Sequence, residues 1–449
     1  METNKQYTKM IGTPVPKLVI GLSIPTILSM LVTNIYNMVD TAFVGQLGTS
    51  ASGAVGIVFG YMAILQAVGF MCGQGAGSVM SRKLGAKNLD GATRYTSTGF
   101  FFSFALGLVI ALLSFLFLDP LVRMLGSTET IVPYAKMYIS FIIIAAPFLT
   151  SSLTLNNLLR YEGRAKLGTV GLMTGSILNI FGDAIFMFGM NMGIAGAGLS
   201  TCVSQIISFS ILMYMFLTNR TQTKISLKYA DKHIHTYYII ATCGFPSLLR
   251  QALASISTMA LNGCASVYGD EAIAAMSICS RISFFVVSVA IGMGQGFQPV
   301  SSFNYGAGKY SRVRQAFWFT LIGAMALLTC IAIPVYLKAG SLVQIFRDDP
   351  VVIEYAIRAL RLQCITSVSL PLTMMVEMAY QSTGQRLMAS VASSLRNGVI
   401  FIPTLLVLAR LRGLAGIQEA QPVAYVLTVP ICMYFTYLFL SKMPQQDKI

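Results

Sequence analysis

The chain has 449 residues, of which 55% are hydrophobic and only 10% charged, with a mean hydropathy of +0.70. A soluble domain carries about 25% charged residues, so a soluble enzyme is excluded. The formal net charge of +15 raises nucleic acid as a partner until the charges are placed along the chain.

Twelve apolar blocks follow one another: 18–45, 53–80, 95–118, 131–157, 167–188, 196–218, 237–266, 273–302, 315–337, 352–380, 387–409 and 421–441. Each is long enough to cross a hydrocarbon core of about 30 Å, and none alternates like a barrel strand. The predicted fold is an all-α integral membrane protein of twelve transmembrane helices. The first block is too long for a signal peptide and lacks a small-residue cleavage pattern, so it reads as a span. No soluble domain is expected before or after the bundle.

An even number of spans puts both termini on one side. Twenty Lys and Arg fall on that side, from Lys5 to Lys448, against five on the other: Arg123, Lys338, Arg347, Arg410 and Arg412. This asymmetry orients both termini to the cytoplasm of a cell (inner) membrane, and it explains the basic balance without nucleic acid. The eight cysteines lie in apolar blocks with no CxxC pair, and the two histidines, in "KHIH", sit in a basic loop. Neither pattern has metal-ligand spacing.

The longest polar interruption, 219–236, reads as a cytoplasmic linker between an N-lobe, 1–218, and a C-lobe, 237–449. An offset of 221 residues aligns Gly73 with Gly294, Gln74 with Gln295, Gly75 with Gly296, Pro25 with Pro246 and Gly163 with Gly384. Six spans separate the copies, so the repeat is parallel. Secondary transporters are built this way, with a cavity opening alternately to each side between the halves. The repeated "GQG" follows no strand and precedes no Gly-Lys-Ser/Thr, so it is no phosphate loop. Close helix packing and a tight turn explain its glycines better. With no ATP motif and no cofactor implied, an ion gradient is left as the energy source.

Three acidic residues lie inside spans: Asp40, Asp183 and Glu377. Each costs about 2.5–3.5 kcal/mol on insertion scales, so each is a candidate functional residue. Asp40 precedes the turn at Gly45 by five residues, and Asp183 precedes Gly189 by six. At ~1.5 Å per residue both stand at one depth in the outer part of the membrane. Thr201 and Tyr138, entering from outside, match that depth. Asn179 and Tyr36 each precede an acid by one turn and share its face. Two carboxylates in a pocket of low dielectric penalise each other's ionised forms, which suits a site that exchanges H⁺; with amide and hydroxyl oxygens the same set would hold Na⁺.

At these residues the sequence resembles the multidrug and toxic compound extrusion (MATE) family. The resemblance covers nearly the whole chain: "PTIL" opening the first span, "NIYNMVDTAFVG", both GQG segments followed by Gly-Ala, and "LNIFGDAIFMFG". Asp183, with Asn179 a turn before it, looks like the DinF-like branch. That resemblance implies export of cationic or amphipathic compounds against inward H⁺, or Na⁺. It implies roles for Asp40, Asn179, Asp183 and Thr201, with Tyr36, Tyr138 and Asn156 as neighbours that contact substrate; Asn156 does not share their depth. The NorM-like branch uses acids of the seventh and tenth spans; here the tenth offers Glu377, and the seventh offers Arg250. A buried pair between Glu377 and an arginine is the preferred reading, contact with substrate the other, and Arg250, Arg281 and Arg396 all need partners. A flippase for lipid-linked sugars is the alternative function; a membrane enzyme would need clustered His or Cys. Substrate, coupling ion and membrane lipid are the only partners implied, and a monomer is the simplest expectation.

Overall fold

The computed structural model describes residues 2–218, 220–346 and 349–447. Asn219 of the linker and Arg347 and Lys448 of the charge count lie outside the described residues, as does the Lys5 side chain. Among the described residues there is no strand.

The first half runs α1 (Glu2–Gly12), α2 (Val15–Gly45), α3 (Thr49–Gly85), α4 (Leu89–Leu116), α5 (Leu118–Met124), α6 (Val132–Tyr161), α7 (Ala165–Asp183) and α8 (Ile194–Leu217). A π-helical turn, Ala184–Gly189, prolongs α7. The second half runs α9 (Ile234–Ala265), α10 (Asp270–Gly306), α11 (Tyr310–Leu337), α12 (Ala339–Phe346), α13 (Pro350–Ser367), α14 (Leu370–Thr383), α15 (Arg386–Ser394), α16 (Phe401–Arg412) and α17 (Leu414–Ser441), with a second π-helical turn at Leu395–Val399. Eleven helical stretches are long and apolar enough to cross a membrane, and α13 with α14, bent by 52°, makes a twelfth.

The offset of 221 is visible in the helix boundaries. Both α3 and α10 have 37 residues and both α4 and α11 have 28, each pair starting 221 residues apart. Glycines with positive φ open or close equivalent helices: Gly48 (113°) and Gly269 (93°), Gly163 (82°) and Gly384 (85°). A side chain would be strained at each, which is why glycine recurs there. The halves differ at one place. Whereas α6 is continuous, its counterpart breaks between α13 and α14, where Pro371 has no N–H to give to the preceding turn; Thr150 stands at the matching place in α6.

Contacts divide the chain into two compact units. The first takes the residues up to Thr13 with Leu28–Leu248, and the second takes Pro14–Ile27 with Leu249–Ile449. The long helices α2 and α9 are thus each shared, and each changes unit two residues beyond its internal proline, Pro25 or Pro246. The repeated glycines explain how the borrowed segments are held. In the first unit a Cβ on Gly75 would stand 2.1 Å from the Ile240 carbonyl oxygen, and one on Gly244 1.8 Å from that of Met71. In the second, a Cβ on Gly296 would stand 2.0 Å from Ser23 Oγ, and one on Gly292 2.4 Å from Ile27. Backbones approach this closely only where side chains are missing. Beside Gly75, Ser247 Oγ donates to Gln74 Oε1 at 2.6 Å.

The polar stretch after α8 is fastened to the first unit. The buried Glu162 carboxylate accepts from the backbone N–H groups of Gln222 and, at 2.9 Å, Thr223. Ser97 Oγ donates to the Lys224 carbonyl at 2.8 Å. Asp231 pairs with Arg94 and accepts from Thr236 Oγ1 and from the N–H of His233. Burial alone would raise the Asp231 carboxyl, but these donors and the arginine outweigh it and hold it down at about 2. A carboxyl depressed on folding stabilises the fold above its unfolded value near 3.9 and loses that contribution as pH falls towards the folded one. Thermal unfolding in detergent should therefore show wild type losing stability between about pH 4 and pH 2. Asp231→Asn should be less stable at pH 7 and flatter across that window; an unchanged acid limb would remove Asp231 from this role.

Candidate functional site

The site is built by glycines that bring α8 against α7 and α6. A Cβ on Gly182 would stand 2.5 Å from Ser200 Oγ, one on Gly196 2.7 Å from the Phe186 backbone, and one on Gly198 2.8 Å from the Phe141 ring. This approach lays Ser200 and Thr201 beside Asn179. Ser200 Oγ donates to the Asn179 carbonyl at 3.0 Å. With the Asn179 amide turned to satisfy both its ends, its nitrogen donates to Asp183 Oδ2 at 3.2 Å and its oxygen accepts from Thr201 Oγ1 at 3.2 Å. Asp183 is the last residue of α7, at the junction with the π-helical turn. Such turns recur at functional sites because they displace the backbone without ending the helix.

Asp40, on α2, reaches the same place. Its carboxyl is hydrogen-bonded to that of Asp183, a contact that is attractive only with a proton between the two oxygens. Asp183 is fully buried and Asp40 is 8% exposed. Oδ1 of each is buried and has no partner among the described residues, which leaves two acceptors for an incoming proton or donor. The buried Tyr36 lies within Coulombic reach of both acids. Tyr138, also buried, reaches both and is hydrogen-bonded to Thr201.

The structure thus brings together Asp40, Asp183, Asn179, Thr201, Tyr36 and Tyr138. It does not bring Asn156 to them. That residue faces Gly168 at the other end of α7, whose Cβ would stand 2.4 Å from Asn156 Oδ1. Fifteen helical residues separate Gly168 from Asp183, roughly 22 Å along the helix. Ser200 was not foreseen; the signal for it is the small-residue run "GAGLST" that lets α8 approach. Among the described residues no group of three or more His, Cys, Asp or Glu converges on a metal position.

Glu377 lies in the second unit. Its Oε1 accepts from Arg250 Nη1 at 2.6 Å, and both side chains are buried. Arg396, in the π-helical turn Leu395–Val399, is within Coulombic reach of the same carboxylate. Arg281, expected to need a partner, is instead exposed on α10.

Duplicated helical bundles, a buried acid pair and no soluble catalytic domain among the described residues define a polytopic membrane protein of the transporter class. The family model MatE matches residues 25–185 and again 246–407, so the chain belongs to the MatE family. It is 26% identical over 432 residues to the multidrug export protein MepA of Staphylococcus aureus (strain MRSA252), covering 96% of this chain and 95% of that one. The MepA of Staphylococcus haemolyticus (strain JCSC1435) is 25% identical over 429 residues, covering 95% and 94%. Among solved structures, an outward-facing multidrug resistance MATE family transporter of the MOP superfamily superposes with a TM-score of 0.93 at 23% identity, over 98% of this chain and 99% of that one. A mutant of the Vibrio cholerae MATE transporter VcmN gives 0.90 at 22%, over 95% and 98%.

Proposed function

We propose that the chain is a secondary multidrug exporter of the cell membrane, with both termini cytoplasmic, that exchanges cationic or amphipathic compounds for inward-moving H⁺. The observation that carries this reading is the hydrogen bond between the Asp40 and Asp183 carboxyls in a buried, hydroxyl-lined cluster. Substrate cation and coupling proton compete for one negative charge. Protonation from outside neutralises the pair, α2 bends near Pro25, and the drug leaves; deprotonation towards the cytoplasm restores the charge for the next one. A proton driven inward gains about 2.3 kcal/mol per 100 mV, enough to concentrate a substrate more than tenfold. The names of the MepA relatives support the class of cargo.

The orientation of Asn179 favours H⁺ over Na⁺. A sodium site would use the amide oxygen as a ligand, but here that oxygen is taken by Thr201 and the amide N–H faces the carboxylate. In proteoliposomes, an imposed pH gradient should drive ethidium exchange and an imposed Na⁺ gradient at equal pH should not. Exchange driven by Na⁺ alone would transfer the coupling role to the metal ion.

A further inference from the structure

The second unit carries a buried charge cluster of the opposite sign. Arg250 and Arg396 bring two positive charges to one carboxylate, Glu377. Arg250 takes the hydrogen bond to Oε1 at 2.6 Å. Arg396 Nη1 is buried and has no acceptor among the described residues. A guanidinium N–H in that state has given up water without compensation, so an acceptor from elsewhere is strongly favoured.

The turn that carries Arg396 is held in place. Asn397, its neighbour, gives its carbonyl to Ser257 Oγ on α9, and the backbone there is π-helical rather than α-helical. A second donor stands nearby. Tyr425, on α17, lies within Coulombic reach of the same guanidinium. Its hydroxyl oxygen accepts from Gln421 Nε2 at 2.6 Å, which leaves its own proton to point elsewhere. Gln421 is fixed in turn by Gln363, whose Nε2 donates to Gln421 Oε1 at 3.1 Å, and Gln363 by Ser283. Tyr425 also forms one wall of a narrow cleft at the break between α13 and α14, lined by Val286, Leu360, Ser367 and Leu370.

We propose that the Arg396 guanidinium and the Tyr425 hydroxyl form an anion-accepting site in the second unit, which takes the carboxylate of a zwitterionic amphipathic substrate. The geometry suits a carboxylate because one charged donor and one neutral donor meet beside apolar walls, the arrangement that holds an acid group while the body of the molecule avoids water. The site widens the cargo from cations to molecules that also carry an acid. This assignment rests on the exporter reading for its cargo but not for its measurement, since binding is read at equilibrium without any gradient.

The test compares two dyes that differ only at the acid: rhodamine 110, which has a free carboxylate, and its methyl ester rhodamine 123. Full-length protein in detergent is titrated with each by fluorescence anisotropy, and the ratio of the two dissociation constants is the readout. Wild type should prefer the free acid. Arg396→Gln should lower that preference about tenfold or more, the size of a lost hydrogen bond to a charged group. Arg396→Lys should keep part of it, because a charge remains. Tyr425→Phe, which removes one oxygen and keeps the ring, should reduce the ratio by a smaller factor and carries the test if Arg396→Gln does not fold. A wild-type protein that binds both dyes equally, or a ratio unmoved by Arg396→Gln and Tyr425→Phe, overturns the site. Absence of ion-driven export, with the ratio responding as described, would overturn the exporter reading and leave the anion site standing.

Discussion

Asp40→Asn should reduce pH-driven ethidium exchange to the level of protein-free liposomes, and Asp183→Asn should do the same. Asparagine keeps the volume of aspartate and can still donate to the neighbouring carboxyl, so the cluster retains its packing. What it loses is the exchangeable proton and the negative charge, the two properties for which coupling ion and cargo compete. Thermal unfolding should move little for Asp40→Asn. Asp183→Asn should shift it more, because the fully buried Asp183 also accepts from Asn179. The separation of the two readouts is the point. An enzyme-like or channel-like role for the pair would leave cargo flux independent of pH, and full ethidium exchange by Asp40→Asn would sink the proposed cycle outright.

Glu377→Gln should cost the second unit about 3–5 kcal/mol, the penalty typical of removing one partner from a buried ion pair. Two guanidiniums would then remain in a dry interior with no carboxylate between them. Thermal unfolding in detergent measures the loss. Removing both Arg250 and Glu377 in favour of methionine should recover much of it, since the expensive state is an unpaired charge rather than a missing salt bridge. A double variant no better than Glu377→Gln would show that Arg250 has work beyond neutralising Glu377.

The repeat was legible because helix boundaries keep one register over half the chain. The starts of α3 and α10, and of α4 and α11, each lie 221 residues apart, and Gly163 and Gly384 close equivalent helices. The packing role of the GQG glycines was legible in kind, since no strand or Lys-Ser/Thr accompanied them. Their partners were not. That Gly75 meets α9 and Gly296 meets the opening of α2 is a matter of long-range contact, which periodicity does not encode. Nor was the break at Pro371, since proline in an apolar run is tolerated in many membrane helices.

At the site, depth counting put Asp40, Asp183, Thr201 and Tyr138 at one level, and helical spacing added Asn179 and Tyr36. These are the six side chains the structure gathers. Asn156 came from resemblance without support from depth, and it stands apart at Gly168. The direction of the Asn179 amide, which bears on the choice of coupling ion, depends on Ser200 and Thr201 from another helix and leaves no trace in the spacing.

The exchange of helix openings has a consequence for biosynthesis. Residues 234–248 complete the first unit, so that unit stays one segment short until the ribosome has passed Leu248. During that interval Gly75 and its neighbours present a groove with no occupant, and the second unit in turn waits for its own copy of the groove, at Gly292 and Gly296, to be made before Ser23 and Ile27 can settle. Domains usually fold one after another as they emerge. Here the nascent halves must mature together, and a chain stalled at the middle of its message is left with its earliest helix unanchored.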